Sequence, residues 1–255
     1  MKKGHIWSIY QLNIRGYNSK RVSLESILSS LNPPPNLLVV SESHLKFENK
    51  VKIPGYYSYS RNRKDKIQGG IITAIKEDEA KECLKVSEGQ NTNEYLVTRH
   101  NKFQIPINVI NVYSCQENRT SVNQIREEWQ EIVEEIIKIE TKKEHIILIG
   151  DFNKHVGTLI EGNHEKVTEG GNLIKDLLEN EDYVLLNSLT SKVKGGPFTR
   201  LEPSDPENDQ KKSCLDFIIV SKDLVKYVDK IVIDKERKVT PCHAINQHKL
   251  TYPDP

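Results

Sequence analysis

Cysteine, charge of one sign and long apolar runs are all scarce in this sequence of 255 residues. The four cysteines lie far apart and form no Cys-x-x-Cys pair, so their spacing indicates no zinc site. Reduced thiols in a nuclear or cytoplasmic protein are the simpler expectation. The N-terminus lacks the apolar segment of a secretory signal, and no apolar run approaches the length of a membrane span. We therefore expect an intracellular protein that is neither secreted nor bound to a membrane.

The net charge is +1, so no basic field covers the whole molecule. A nucleic-acid partner would have to be contacted by a local basic patch, or through a metal that offsets phosphate charge.

Short β-type runs alternate with amphipathic segments along the chain. The predicted strands are 6–14, 37–43, 69–76, 94–100, 105–113, 145–153, 183–188, 215–221 and 229–235. Three- and four-residue spacing of apolar side chains predicts helices at 19–31, 123–140 and 170–180. Because no repeat or linker interrupts this order, we predict one domain over residues 1–255. The fold class is an α/β sandwich of two mixed sheets, packed face to face with helices outside.

Polar residues stand repeatedly at the ends of the predicted strands. They are Asn13, Glu42, Tyr113, Asp151, Asn153 and Asp216. Any one of them is most simply a turn residue or a helix cap. Strand ends meet at one edge of a sandwich, however, so together these side chains can converge.

The strongest local signal is the run HIILIGDFN, which ends in Asp151 and Asn153. Gly150 allows close approach of the backbone, and Asp151 and Asn153 can point to the same side of an extended strand. An acid that orients water and an amide that steadies an oxyanion suit phosphate-ester hydrolysis. With Glu42 as a hard oxygen ligand, these residues predict a Mg²⁺ or Mn²⁺ site.

The motifs IYQLNIRG, VVSESHL, INVYS, LIGDFN, GGPFTR and SCLDFIIVS follow one another in the order of a known family. The sequence resembles the endonuclease/exonuclease/phosphatase superfamily over nearly its whole length. It looks most like the apurinic-type endonuclease domains of non-LTR (LINE-type) retrotransposons and the related craniofacial-development-protein-like chains. The resemblance implies a four-layered α/β sandwich, a divalent metal and cleavage of a phosphodiester.

The resemblance also implies residue roles. Glu42 would bind the metal, with Asn13 and Asp151 beside it, and Asn13 would also help to hold the scissile phosphate. Tyr113 would contact phosphate. Asp151 would position or deprotonate the attacking water, and Asn153 would stabilise the pentacovalent phosphate.

Two further roles concern DNA and a histidine. Thr199 would donate a hydrogen bond to the DNA backbone, and Asp216 would orient a histidine near the C-terminus. Basic residues near the motifs add a modest DNA-binding footprint, although charged runs are usually only solvated loops. The members are Arg61, Arg63, Lys64, Lys66, Lys192, Lys194, Arg200, Lys211 and Lys212.

The C-terminal region departs from the family, which closes with Ser or Thr, then Asp-His, then an apolar strand. One register uses Gln247-His248 and loses the acid; the other uses residues 252–255 and keeps Asp254 but no histidine. We favour the second. It predicts that Asp254 lies near the metal, that the last strand is missing, and that strand 6–14 is left as an unpaired edge. His248 is then a loop residue, His243 is a surface or turn residue, and Asp216 lacks an imidazole partner.

Three functions are compatible with these motifs. The leading hypothesis is a Mg²⁺-dependent endonuclease that nicks DNA, with activity reduced by loss of the histidine and, in an ancestral polyprotein, a reverse transcriptase following it. The second is a degenerate relative that only binds DNA. The third is a phosphatase for phosphoinositides or other small phosphoesters, which is disfavoured because no amphipathic segment suits a membrane surface.

Overall fold

The computed structural model describes residues 5–63, 68–90, 93–201, 204–205, 212–234, 239, 243–244 and 246–252. Thirteen strands are defined within these ranges: β1 His5–Asn13, β2 Leu37–Ser41, β3 Tyr56–Arg61, β4 Ile71–Lys76, β5 Cys83–Glu88, β6 Glu94–His100, β7 Ile107–Tyr113, β8 His145–Asp151, β9 Tyr183–Leu185, β10 Val193–Lys194, β11 Asp216–Ser221, β12 Val228–Ile233 and β13 Asn246–Tyr252. The longer helices are α1 Tyr17–Ser30, α2 Val122–Glu140 and α3 Glu169–Glu179. Among the predicted site residues, Lys64, Lys66, Lys211 and Asp254 lie outside the described residues.

The strands form two mixed sheets. The first has the order β10-β12-β13-β1-β2-β4-β3, and the second has the order β5-β6-β7-β8-β11-β9. Strands β1 and β2 are parallel in the first sheet, and β7 and β8 are parallel in the second. The C-terminal ends of β1 and β2 therefore share one edge of the first sheet, and those of β7 and β8 share one edge of the second. The two edges meet, because Asn13 at the end of β1 contacts Asp151 at the end of β8.

Three apolar layers hold the sandwich together. Between the sheets, Trp7 and Ile9 of the first sheet pack with Ile147 and Ile149 of the second. Helix α1 covers the outer face of the first sheet, and α2 and α3 cover the outer face of the second. Each isoleucine buried in this way stabilises the fold by roughly 1.5–3 kcal/mol. The four-layered α/β sandwich predicted from the sequence is confirmed.

Helix α2 shows how local sequence fixes one of these layers. Ser121 and Gln124 form a capping box at its start, which satisfies backbone N–H groups that the first turn leaves free. Buried isoleucines at steps of seven, four and three residues, which keep to one side of the helix, then face the sheet: Ile125, Ile132, Ile136 and Ile139. Within the described residues, no helix combines the length and apolar character needed to cross a membrane.

The last strand is present, so the prediction that it is missing is wrong. Strand β13 pairs antiparallel with β1 along its length, and its other edge pairs with β12. Strand β1 is therefore an interior strand and not an exposed edge. The strand forms because side chains alternate along it: Asn246, His248 and Leu250 are buried. His248 lies in the middle of a strand, not in a loop.

Strands β3 and β5 were not among the predicted strands. They are edge strands, and most of their side chains are exposed or half-buried. Neither segment therefore carries the apolar run that identifies the interior strands in the sequence.

Candidate active site

The side chain of Asn13 joins two carboxylates that come from different sheets. Its Nδ2 donates to Glu42 Oε1 at 2.9 Å and to Asp151 Oδ2 at 2.7 Å. Asn13 ends β1, Glu42 follows β2 and Asp151 ends β8. The convergence of strand ends that the sequence predicts is thus present, because parallel strands of both sheets end at this edge.

Glu42 is held in an unusual backbone conformation. Its φ is 53°, a left-handed value that costs a non-glycine residue energy and that accumulates at functional sites. The next two N–H groups hold this turn, since Ser43 N donates to Gly70 O at 2.9 Å and His44 N donates to Gly69 O at 2.8 Å. The turn presents the carboxylate, whose side chain is 14% exposed, to the cleft.

The carboxylate of Glu42 is ionised at neutral pH. Burial opposes ionisation, but hydrogen bonds from His44 and Asn13, and a further one from Tyr113, outweigh it and lower the pKa to about 2. The Tyr113 hydroxyl donates to Glu42 Oε1 at 3.1 Å, and His44 Nε2 lies 3.3 Å from Oε2. Burial, reinforced by the charge of Glu42, raises the pKa of Tyr113, so the phenol stays a neutral donor.

Asp151 is positioned by the glycine before it. A Cβ on Gly150 would lie 1.9 Å from the carbonyl oxygen of Val112 in the neighbouring strand, so only glycine permits this pairing. The carboxylate is fully buried, and its Oδ1 accepts from the N–H of Asn153 at 3.0 Å. Burial and the nearby Asp216 raise the pKa of Asp151.

Asn153 turns back toward the end of β7. It adopts a φ of 50°, and its Nδ2 donates to Ser114 O at 3.0 Å. Its half-buried side chain lines the cleft, which places an amide at the position where the sequence predicts one.

Asp216 has a histidine partner, and that partner is His243. Asp216 is the cross-strand neighbour of Asp151, and its Oδ2 lies 3.5 Å from His243 Nδ1. Both side chains are almost completely buried. Burial lowers the pKa of His243, but the adjacent carboxylate of Asp216, with the neighbouring carboxylates, outweighs it and raises the pKa.

Two predictions about histidine are therefore wrong: His243 is not a surface residue, and Asp216 does not lack an imidazole partner. The predicted place of Asp254 near the metal concerns a residue outside the described ranges and stays a prediction. The available signal was the order Thr240, Cys242, His243 just before an alternating strand, with cysteine where the family has its acid.

A cleft of about 350 Å³ opens over these groups. Four arginines line it: Arg15, Arg63, Arg119 and Arg200. Arg63 and Arg200 were predicted as DNA-binding residues, whereas Arg15 and Arg119 were not. Arg63 also pairs with buried Glu94 at 3.0 Å, and Arg61, outside the lining, donates to Asn93 O at 3.1 Å. Two of the basic residues that were predicted to bind DNA, Arg63 and Arg200, thus line the cleft.

Thr199 is placed differently from its prediction. It is fully buried, and its Oγ1 accepts from the N–H groups of Leu215 and Asp216, each at 3.1 Å. This burial is at odds with direct contact to a DNA backbone. Thr199 instead holds the backbone at Asp216 in place through these two hydrogen bonds. Lys212 is half-buried, and the contact of its side chain with DNA stays a prediction.

Gln11 touches the site without having been predicted. Its Nε2 donates to Asp216 Oδ1 at 2.6 Å, and the contact is buried. A glutamine within an apolar strand gives no local sequence signal for such a role, because the partner is 205 residues away.

The donor set fits a hard divalent cation. Glu42 offers an ionised carboxylate to the cleft, and the Asp151 carboxylate is joined to it through the Asn13 NH₂ group, whereas the Asn13 oxygen accepts from the N–H of Arg15. Oxygen donors of this kind favour Mg²⁺ or Mn²⁺ over zinc. A second group of possible ligands, Asp151, Asp216 and His243, has ligand atoms within 4.8 Å of one another.

No protein-family model and no curated protein matches this sequence. Solved structures do match. The AP endonuclease LMAP from Leishmania major superposes with a TM-score of 0.76 at 15% identity, covering 97% of this chain and 88% of that one. The 3' phosphatase NExo from Neisseria, bound to product DNA hairpin, gives 0.73 at 16% identity, covering 96% and 100%. The endonuclease domain of TRAS1, a telomere-specific non-LTR retrotransposon, gives 0.65 at 14% identity, covering 96% and 98%.

These similarities establish the class of fold. The chain has the fold of the AP endonuclease, exonuclease and phosphatase structures, as its motifs predict.

Proposed function

We propose that this protein is a metal-dependent phosphodiester hydrolase that nicks DNA. One observation carries the proposal: the Asn13 amide links Glu42 and Asp151 directly beside the buried Asp216–His243 pair. An ionised carboxylate for a metal, an acid that can take a proton from water and an oriented imidazole are the groups that this hydrolysis uses.

Glu42, Asn13 and Asp151 are the residues that would hold the cation, which we propose to be Mg²⁺ or Mn²⁺. When bound, the cation would offset the negative charge of the scissile phosphate and make its phosphorus easier to attack. The low pKa of Glu42 supports this role, because the carboxylate needs no deprotonation to bind a cation.

The other side chains act on the reacting groups. A water oxygen forms a new bond to phosphorus, the bond from phosphorus to the leaving ester oxygen breaks, and the leaving alcohol gains a proton from solvent water. Asp151 positions the water and accepts its proton. Asn153 donates a hydrogen bond to a phosphate oxygen, Tyr113 does so when its hydroxyl turns from Glu42, and His243, oriented by Asp216, places its imidazole against the phosphate.

The arginines support DNA as the substrate. Arg15, Arg119 and Arg200 line the cleft around the carboxylates, and arginine is well suited to phosphate contacts. The retrotransposon origin is part of the proposal and is supported by the motif order and by the similarity to the TRAS1 domain. A reverse transcriptase is the partner domain that this origin would provide.

The test is nicking of supercoiled plasmid DNA. We expect nicking with Mg²⁺ and none with EDTA. Asp151→Asn should lower the rate by a factor on the order of 10²–10⁴, whereas Glu179→Gln on the exposed end of α3 should leave it unchanged. Nicking that persists in EDTA would contradict the metal. Phosphate release from a small phosphomonoester without any nicking would favour the phosphatase alternative.

A further inference from the structure

Gln11 is a polar side chain in a largely apolar layer. In β1, Trp7 and Ile9 face the second sheet, and Gln11 faces the same way because it is two residues further along. It is 1% exposed. A buried amide is costly unless its donor and acceptor are both satisfied, so the partners of Gln11 show what the side chain does.

Its donor goes to the carboxylate of Asp216. Gln11 Nε2 lies 2.6 Å from Asp216 Oδ1, while Asp216 Oδ2 faces His243 Nδ1 at 3.5 Å. The two oxygens of one carboxylate therefore have different partners. If Gln11 did not hold Oδ1, the carboxylate could turn about its bond to Cβ and leave the imidazole.

Its acceptor is held by the last strand. Asn246, the cross-strand partner of Gln11, donates from Nδ2 to Gln11 Oε1. This bond fixes which end of the Gln11 amide faces which neighbour. With Oε1 turned to Asn246, only Nε2 can face Asp216, and a donor is what the carboxylate needs.

We propose that Asn246 and Gln11 are positioning residues for the Asp216–His243 pair. The proposal rests on the proposed function and adds a relay of oriented amides to it. Asn246 sets the Gln11 amide, Gln11 sets the Asp216 carboxylate, and the carboxylate holds the proton of His243 on Nδ1. The other imidazole nitrogen, Nε2, is then the one that faces the phosphate.

The neighbouring cross-strand pair offers a matched control. Tyr10 and Gln247 are paired one step further along the same two strands, on the opposite face. The Tyr10 hydroxyl donates to Gln247 Oε1 at 3.1 Å. Gln247→Met removes a hydrogen bond between the same strands without touching Asp216.

The experiment compares Gln11→Met, Asn246→Leu and Gln247→Met with the wild-type protein. Plasmid nicking gives kcat and KM, thermal unfolding gives stability, and ¹⁵N NMR of the histidine rings gives the His243 tautomer. We expect Gln11→Met and Asn246→Leu to lower kcat by about tenfold, with KM changed by less than about twofold. The His243 signal should shift toward the other tautomer. Gln247→Met should change neither kcat nor the tautomer.

A fourth variant tests the direction of the relay. Asn246→Asp offers only acceptors to Gln11, so the amide should turn its Nε2 to β13 and its oxygen to the Asp216 carboxylate. We expect a lower kcat than for Asn246→Leu. A kcat equal to that of the wild type would overturn the relay.

The outcomes for the two proposals are distinct. If Asp216→Asn abolishes nicking but Gln11→Met retains the wild-type kcat and tautomer, the relay is wrong and the proposed function stands. If the wild-type protein does not nick DNA, the proposed function is wrong, and the His243 tautomer in Gln11→Met still decides whether the relay exists. Equal loss of kcat in Gln11→Met and Gln247→Met would show a structural effect alone.

Discussion

Asp216 Oδ2 and His243 Nδ1 lie 3.5 Å apart; both side chains are almost completely buried, and His243 lines the cleft. Asp216 begins β11 of the second sheet, and His243 lies just before β13 of the first. The pair therefore links the two sheets at the edge where Glu42 and Asp151 also converge. Its formation depends on β13, because that strand brings His243 to the site.

Thr199 should affect the site through Asp216 and not through DNA. Thr199→Val removes the oxygen that accepts from two buried N–H groups. We expect a loss of about 2 kcal/mol or more in the free energy of unfolding and slower nicking. Thr199→Ser, which keeps the oxygen, should restore most of both. The dissociation constant for DNA, measured under conditions where both variants are folded, should not change; a large rise would show that Thr199 does contact DNA.

The two lysines that precede β11 in the sequence, Lys211 and Lys212, should contribute to DNA affinity. Replacing Lys211 and Lys212 with alanine should weaken binding for all sequences and flatten its salt dependence, because phosphate contacts release counterions. The slope should fall by about 1 for each phosphate that the variant no longer binds. Lys142→Ala with Lys143→Ala is the control, since these residues precede β8 at the end of the strand opposite Asp151. An unchanged slope in the variant without Lys211 and Lys212 would exclude the contact.

His248 should make the protein sensitive to acid. It is buried, and its Nδ1 has no hydrogen-bond partner among the described residues. Burial lowers its pKa from 6.5 to about 3. Between pH 6.5 and about pH 3, His248 is protonated in the unfolded chain but stays neutral in the folded protein. The free energy of unfolding therefore falls as the pH falls below 6.5.

His248→Leu should remove the part of this dependence that His248 contributes, whereas buried His100, whose pKa burial also lowers to about 3, keeps its own part. At about pH 5, one such histidine costs the folded state about 2 kcal/mol relative to neutral pH. Denaturant unfolding at about pH 7.5 and about pH 5 should therefore differ less in His248→Leu than in the wild type. Leu250→Met, in the same strand and facing the same layer, should keep the full difference. An equal pH dependence in His248→Leu and the wild type would show that His248 does not stay neutral on folding.

The sequence predicts the parts of this structure that local patterns determine. Interior strands such as β8 are rich in apolar residues, and the polar residues Asp151 and Asn153 at the end of this run predict where the strand ends. Strand β5 was missed because it is an edge strand whose exposed residues break the apolar pattern. His243 was missed because no acid precedes it in the sequence, and its partner Asp216 belongs to the other sheet. Gln11 was missed because its contact with Asn246 spans 235 residues.

The most direct test of the account is single-turnover nicking by His243→Ala. With saturating Mg²⁺ and excess protein over plasmid, we expect the cleavage rate to fall by a factor on the order of 10²–10⁴. The dissociation constant for DNA should stay within about twofold, because His243 is buried and the basic charge of the cleft comes from its four arginines. A cleavage rate equal to that of the wild type would contradict the central claim that the Asp216–His243 pair belongs to the catalytic site.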